Sequence, residues 1–154
     1  MRRFILSTCF LLLPCTSLLT GHPSVCSEVI AEAKTDKVAE LYRSMQLEGV
    51  VNWKAFRQAV AGYEKIEGRK RDILTLIDFS KPSTEERLYV FDMKKHRLLF
   101  SSVVSHGKNS GNNYATSFSN EYGSYKSSLG FYLTESTYQG KNGYSLILNG
   151  LEKG

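Results

Sequence analysis

The sequence predicts an α+β fold, a helical hairpin at the amino-terminal end followed by a mostly antiparallel β-sheet. Three observations carry this expectation. Apolar residues recur at helical spacing from Val38 to Ile66. Beyond Asp72 the pattern changes to short runs rich in β-branched and aromatic residues, divided by turn-forming residues. Helices come first and strands after, with no internal repeat, which is the order of an α+β domain rather than of alternating βαβ units.

The first 27 residues stand apart. Arg2 and Arg3 precede an apolar run from Phe4 to Leu13, and a polar stretch ends in short residues at Cys26 and Ser27. This is the three-part pattern of a secretory signal peptide, with cleavage expected after Ser27. The run is broken by Pro14 and Gly21 and is too short for a membrane span. The general secretory route is favoured over the twin-arginine route. A lipoprotein signal is disfavoured because Thr, Pro and Val precede Cys9, Cys15 and Cys26. The expected location is therefore secreted or periplasmic, with no stable membrane span after cleavage. Of the 154 residues, a single domain's worth remains, and its net charge falls from +5 to +3. No basic face is evident, so nucleic acid is not an expected partner. All three cysteines leave with the signal, so the mature chain has no disulfide, thiolate ligand or thiol nucleophile of its own.

Val38, Leu41, Tyr42 and Met45 fall at i, i+3, i+4 and i+7 and place one apolar face on a helix from Thr35 to Gly49. Thr35 or Asp36 is the expected cap, and Gly49 the expected left-handed terminating residue. A second helix runs from Asn52 as cap through Trp53, Phe56, Val60, Tyr63 and Ile66 to Gly68. Residues 28–70 thus form a helical lead-in, and a charged joint separates them from a β domain over 73–154. Ile73 to Phe79 is expected as a buried strand. Arg87 to Met93 and Arg97 to Val104 are expected as a hairpin across Lys94-Lys95-His96. Gly130 to Thr134 and Tyr144 to Leu151 supply two more strands, joined by a turn from Tyr138 to Gly143. The chain stops straight after this apolar strand, and it reads as cut short.

Between the strands lies a long stretch from Ser105 to Leu133, rich in Ser, Asn, Gly and Tyr. Aromatics recur in it at Tyr114, Phe118, Tyr122, Tyr125, Phe131 and Tyr132. Such a loop on a β scaffold suits a binding surface, although the same aromatics would also serve to pin the loop to the core. His106 follows a strand and has Ser105 and Ser110 nearby. A Ser–His hydrolase would need an orienting acid, with Asp78, Asp92 and Glu121 as candidates. No Gly-x-Ser-x-Gly elbow is present, and a structural histidine bonding the loop backbone is the favoured alternative. Gly107-Lys108 lacks the Gly five residues earlier and the Ser or Thr after Lys108 that a phosphate loop requires. Only His96 and His106 remain as histidines after cleavage, and they sit at opposite ends of a strand, so no metal is expected.

The words VSHGKNSGNNYATSFSN, GSYKSSLGFYLT, YQGKNGYSL and NGLEKG, within Ile77 to Gly154, closely resemble the murein L,D-transpeptidase catalytic-domain family, in its secreted, YkuD-related branch. The helices before them resemble the lead-in common in these proteins. The resemblance implies a cell-wall enzyme in which a Cys thiolate attacks the carbonyl between the third and fourth residues of a peptidoglycan stem peptide. Terminal D-alanine leaves, and the acyl group passes to an amine on a neighbouring stem. No cofactor is implied. The family's catalytic His-Gly and its Gly-Cys-Pro-like segment come after Gly-Leu-Glu-Lys-Gly, so no catalytic residue transfers to this chain and it is expected to be inactive alone. His106-Gly107 is not the catalytic pair. The candidate substrate contacts are His106, Asn109, Ser110, Asn112, Asn113, Tyr114, Ser119, Asn120 and Tyr132. Asn and Ser can bond a peptide backbone, and Tyr can cover stem or glycan carbons. The alternative is a non-catalytic peptidoglycan-binding module. The oligomeric state is open.

Overall fold

The computed structural model describes residues 34, 37–141 and 143–152. The expected signal peptide and the Thr35 or Asp36 cap lie outside them. The architecture is α+β: two helices, a three-stranded antiparallel sheet, and a separate two-stranded antiparallel ribbon. Helix α1 covers residues 37–44 and α2 covers Trp53–Lys65. Strands β1 (Ile73–Ile77), β2 (Leu88–Asp92) and β3 (Arg97–Ser102) form the first sheet in that order. Strands β4 (Tyr132–Gly140) and β5 (Gly143–Gly150) form the ribbon. The strands therefore divide into two sheets where the sequence suggested one.

Helix α1 ends earlier than its glycine suggested. Gln46, at φ 56°, is the left-handed residue. The Leu47 amide reaches back to Tyr42 O at 3.2 Å and the Gln46 amide to Arg43 O at 2.9 Å. This pair of bonds is a Schellman motif, and it closes the helix three residues before Gly49. Helix α2 starts as read: the Asn52 side chain accepts from the amides of Lys54 (2.9 Å) and Ala55 (3.3 Å).

The core lies between the helices and one face of β1–β3. Val38, Met45, Leu47, Val51, Phe56, Ala59 and Val60 come from the helical half, and Leu74, Tyr89 and Phe91 from the sheet. The Phe56 ring meets Phe91 edge-on at 5.4 Å, and Tyr42 packs its ring on both Trp53 and Phe56. Burial, then the Glu48 carboxylate, push the Tyr42 hydroxyl above its usual range, and it donates to Val51 O. Helix α2 packs on β1, so β1 alternates exposed and covered residues. It is a strand covered on one face, not the wholly buried strand that its run of apolar residues suggested, because only one face of the sheet meets the helices. It stops at Ile77. Asp78 then turns the chain by accepting from the Ser80 amide (3.0 Å) and hydroxyl (2.6 Å).

The β2–β3 hairpin turns where expected, with His96 at φ 49° and the Lys95 amide bonded to Asp92 Oδ1 at 2.9 Å. A bulge between Val90 and Phe91 shifts the register, and Phe91 pairs with Leu98. Strand β4 is longer than its apolar start indicated. Polar residues Thr134 to Gln139 continue it to Gly140, which pairs with Gly143, so the expected six-residue turn contracts. Solvent lies on both sides of the ribbon, and neither hydrophobic periodicity nor burial marks this extension. None of the described helices is long and apolar enough to cross a membrane.

Candidate functional site

Residues 103–131 run from β3 to β4 without regular structure, yet their backbone is tied down by polar contacts. The first tie is Arg87, just ahead of β2 and fully buried. A buried guanidinium needs acceptors on all sides, and the chain supplies carbonyls rather than a carboxylate. Nε and Nη2 donate to Val104 O (3.1 and 2.8 Å), and Nη1 donates to Lys81 O (2.9 Å). Nη2 also donates to His106 Nδ1 at 2.8 Å. The guanidinium lies 5.2 Å from the Phe79 ring centre, and Phe79 in turn packs against Phe118 of the loop. Lys81 is fixed from below: its Nζ donates to Tyr89 Oη at 2.8 Å. That bond is the main cause that raises the Lys81 pKa above the usual lysine value.

Arginine only donates, so His106 Nδ1 accepts, and Nε2 carries the proton directed at Gly111 O, 3.2 Å away. Both ring nitrogens are thus engaged, one by the loop backbone as expected and one by Arg87. Neither faces Ser105 or Ser110, and Asp78, Asp92 and Glu121 make no hydrogen bond to the ring. A serine hydrolase centred on His106 has no base.

The second tie is Ser110, also fully buried. Its Oγ accepts from the Ser127 amide at 2.8 Å, and its carbonyl accepts from the amides of Thr116 (2.8 Å) and Ser117 (3.0 Å). Gly107 completes this bracket. Its amide donates to Ser127 Oγ at 2.9 Å, and a Cβ on it would stand 2.5 Å from Ser127 N and 2.6 Å from Tyr125 O. Only a residue without a side chain allows the 125–127 backbone to come so close. Asn109 holds the same segment through its amide to Tyr125 O (3.0 Å) and its Nδ2 to Ser124 O (2.9 Å). Asn113 works toward the other side: its carbonyl accepts from the Ser83 amide (2.8 Å) and its Oδ1 from the Ser83 hydroxyl (3.1 Å).

The nine candidate contacts therefore fall into groups. His106, Asn109, Ser110 and Asn113 hold the loop together, and Ser110 has no surface to offer a ligand. Asn112 is exposed and Tyr114 is half-exposed. Ser119, Asn120 and Tyr132 line open grooves. One groove, of about 300 Å³, runs between Asn120, Ser128, Tyr132, Gly150 and Glu152. The Tyr132 hydroxyl there is hydrogen-bonded to Ser128 Oγ at 2.5 Å. A second, of about 490 Å³, continues past Ser119 and Asn120 to Tyr122 and Tyr125.

The aromatics of the loop divide in the same way. Phe118 packs on Phe79, and the Phe131 ring lies against Gly62 of α2 so closely that a Cβ there would overlap it. These two pin the loop. Tyr122 and Tyr125 stand free of the core, and local sequence did not single them out as site residues. What the arrangement can do is bind and position. Among the described residues no His, Cys, Asp or Glu cluster could hold a metal.

A family model for the L,D-transpeptidase catalytic domain, of the YkuD type, matches residues 47–154, well over half of the chain. The match begins ahead of α2 and includes it. No curated protein and no solved structure matches the chain.

Proposed function

Because the chain belongs to the L,D-transpeptidase catalytic domain family, we propose that it acts on the bacterial cell wall, in the acyl transfer by which a cysteine thiolate severs the third stem residue from a terminal D-alanine. The family match over residues 47–154 is the observation that carries this reading. The described residues supply the scaffold and one wall of the peptide cleft, and residues 28–154 contain no cysteine. Thiolate chemistry needs a cysteine, so D-alanine release is not expected of residues 28–154 by themselves. Export through residues 1–27 places it outside the cytoplasm. Asn112, Tyr114, Asn120 and Tyr132 remain the candidates for touching stem peptide, since each has free surface or lines a groove.

A second reading, a non-catalytic peptidoglycan-binding module, draws on one specific observation. His106 has both nitrogens engaged and no nucleophile beside it, so the loop offers recognition without chemistry.

One experiment tests both. The chain is expressed with its own amino-terminus, recovered from the periplasmic or extracellular fraction, weighed, and incubated with purified sacculi and with tetrapeptide stems. The expected results are a mass beginning at Glu28, saturable cosedimentation with sacculi, and no D-alanine release. Release of D-alanine would overturn the expectation that residues 28–154 need a cysteine from elsewhere. Absence of saturable binding would remove the cell-wall role of this chain under either reading.

A further inference from the structure

Tyr122 and Tyr125 present a combination that folding does not explain. Tyr122 is as exposed as a free side chain (107% of its reference area), and Tyr125 is 72% exposed. Tyr125 also sits at φ 56°, in the left-handed region that strains any residue with a side chain. Its backbone is nevertheless held firmly. Tyr125 O accepts from the Asn109 amide and packs on Gly107, while its neighbours Ser124 and Lys126 are joined by an amide-to-hydroxyl bond at 3.3 Å. The Ser110 and Asn109 brackets thus hold a strained backbone whose ring gains no burial in return. Strain maintained by the surroundings, with an aromatic turned to solvent, points to a ligand rather than to stability.

The groove that both rings border is rich in hydroxyls and amides. Ser119, Asn120 and Ser128 line it, and its lining carries both a cation, Lys126, and an anion, Glu121. Such a lining does not select an anionic partner. It suits a neutral polymer with apolar C–H faces for the tyrosines and hydroxyl or acetamido groups for the Asn and Ser side chains. We propose that Tyr122 and Tyr125 form an aromatic subsite for the glycan strand, an N-acetylhexosamine polymer, next to the groove at Asn120 and Tyr132 where the stem peptide would lie. This rests on the cell-wall reading above and names the part of the polymer that the second groove takes.

The test titrates the whole chain with two separate probes, an uncharged β-1,4-linked N-acetylglucosamine hexamer and an isolated stem tetrapeptide. The variant is Tyr122→Ala with Tyr125→Gly. Glycine suits a φ of 56°, so this change relieves backbone strain and leaves the fold intact. The variant is expected to lose about tenfold or more in affinity for the hexamer, with its affinity for the tetrapeptide unchanged. Equal hexamer binding by variant and unmodified chain overturns the subsite, as does tetrapeptide binding by an unmodified chain that ignores the hexamer. An unmodified chain that takes the hexamer through these tyrosines but not the tetrapeptide supports the subsite and removes the stem-peptide contacts instead. Binding of neither probe overturns both.

Discussion

The helices with β1–β3 and the loop over residues 103–131 are both ordered, but by different forces. In the first region order comes from apolar burial: of the buried hydrophobics among the described residues, all but Ala115 precede residue 92. In the second it comes from hydrogen bonds to backbone, centred on Arg87, Gly107 and Ser110. The difference matters for function. Apolar contacts are tolerant of direction, whereas a bracket of amides and hydroxyls fixes backbone position and leaves the outward side chains free for a ligand. A loop built this way is a stiff presenting surface, and its rigidity depends on a few polar atoms rather than on a core.

The largest expected effect lies in the first region. Phe56 is fully buried and meets both Tyr42 and Phe91. Phe56→Ala is expected to cost about 3–5 kcal/mol in urea unfolding and to lower amide protection in α2, β2 and the loop together. A loss below 1 kcal/mol would mean that the helices and sheet do not share one core.

Next in size is Gly107→Ala. Its Cβ would meet the backbone of Lys126 and Ser127, which cannot rotate away. The expected cost is roughly 1–3 kcal/mol, the usual penalty for overpacking. Here the comparison sharpens: hydrogen exchange should quicken at the Asn109 and Ser127 amides while the β2 amides keep their protection. If loop and sheet lose protection equally, the two regions are one cooperative unit and the distinction between them fails.

Much of the first region was legible in the sequence. Asn52 and the 3.6-residue spacing after it located α2, and Lys94-Lys95-His96 located the β2–β3 turn. Local signals misled at several places, two of which have a plain physical cause. Gly49 looked like the helix terminator, but Gln46 takes the left-handed position because the Schellman bonds close there first. Strand β4 extends through polar residues because its ladder with β5 continues, and backbone pairing leaves no side-chain signature on a strand exposed on both faces. The loop's composition marked it as a candidate surface. Its internal division was hidden, since the pairs that decide it, Gly107 with Ser127 and Arg87 with His106, are about twenty residues apart. Sequence spacing carries no information on which of several serines and asparagines is buried.

The smallest effect is expected in the β4–β5 ribbon, which tests the comparison from the opposite end. Leu146, Ile147 and Leu148 are 43–56% exposed, on both faces of the strand. A two-stranded ribbon is marginal alone, and the residue just before this one, Phe131, packs its ring against Gly62 of α2. Truncating a side chain that already faces water removes little buried area, so Leu148→Ala is expected to change stability by under about 0.5 kcal/mol. Phe56→Ala costs several times more because it empties a fully buried site of a larger side chain. Measured at two protein concentrations, the Leu148 cost should stay small at both. A cost that rises with concentration would mean that a second copy covers this face, because exposed apolar strands offer both side chains and a ladder edge for pairing. In that case the ribbon would belong with the apolar region, and the polar loop alone would stand outside the core.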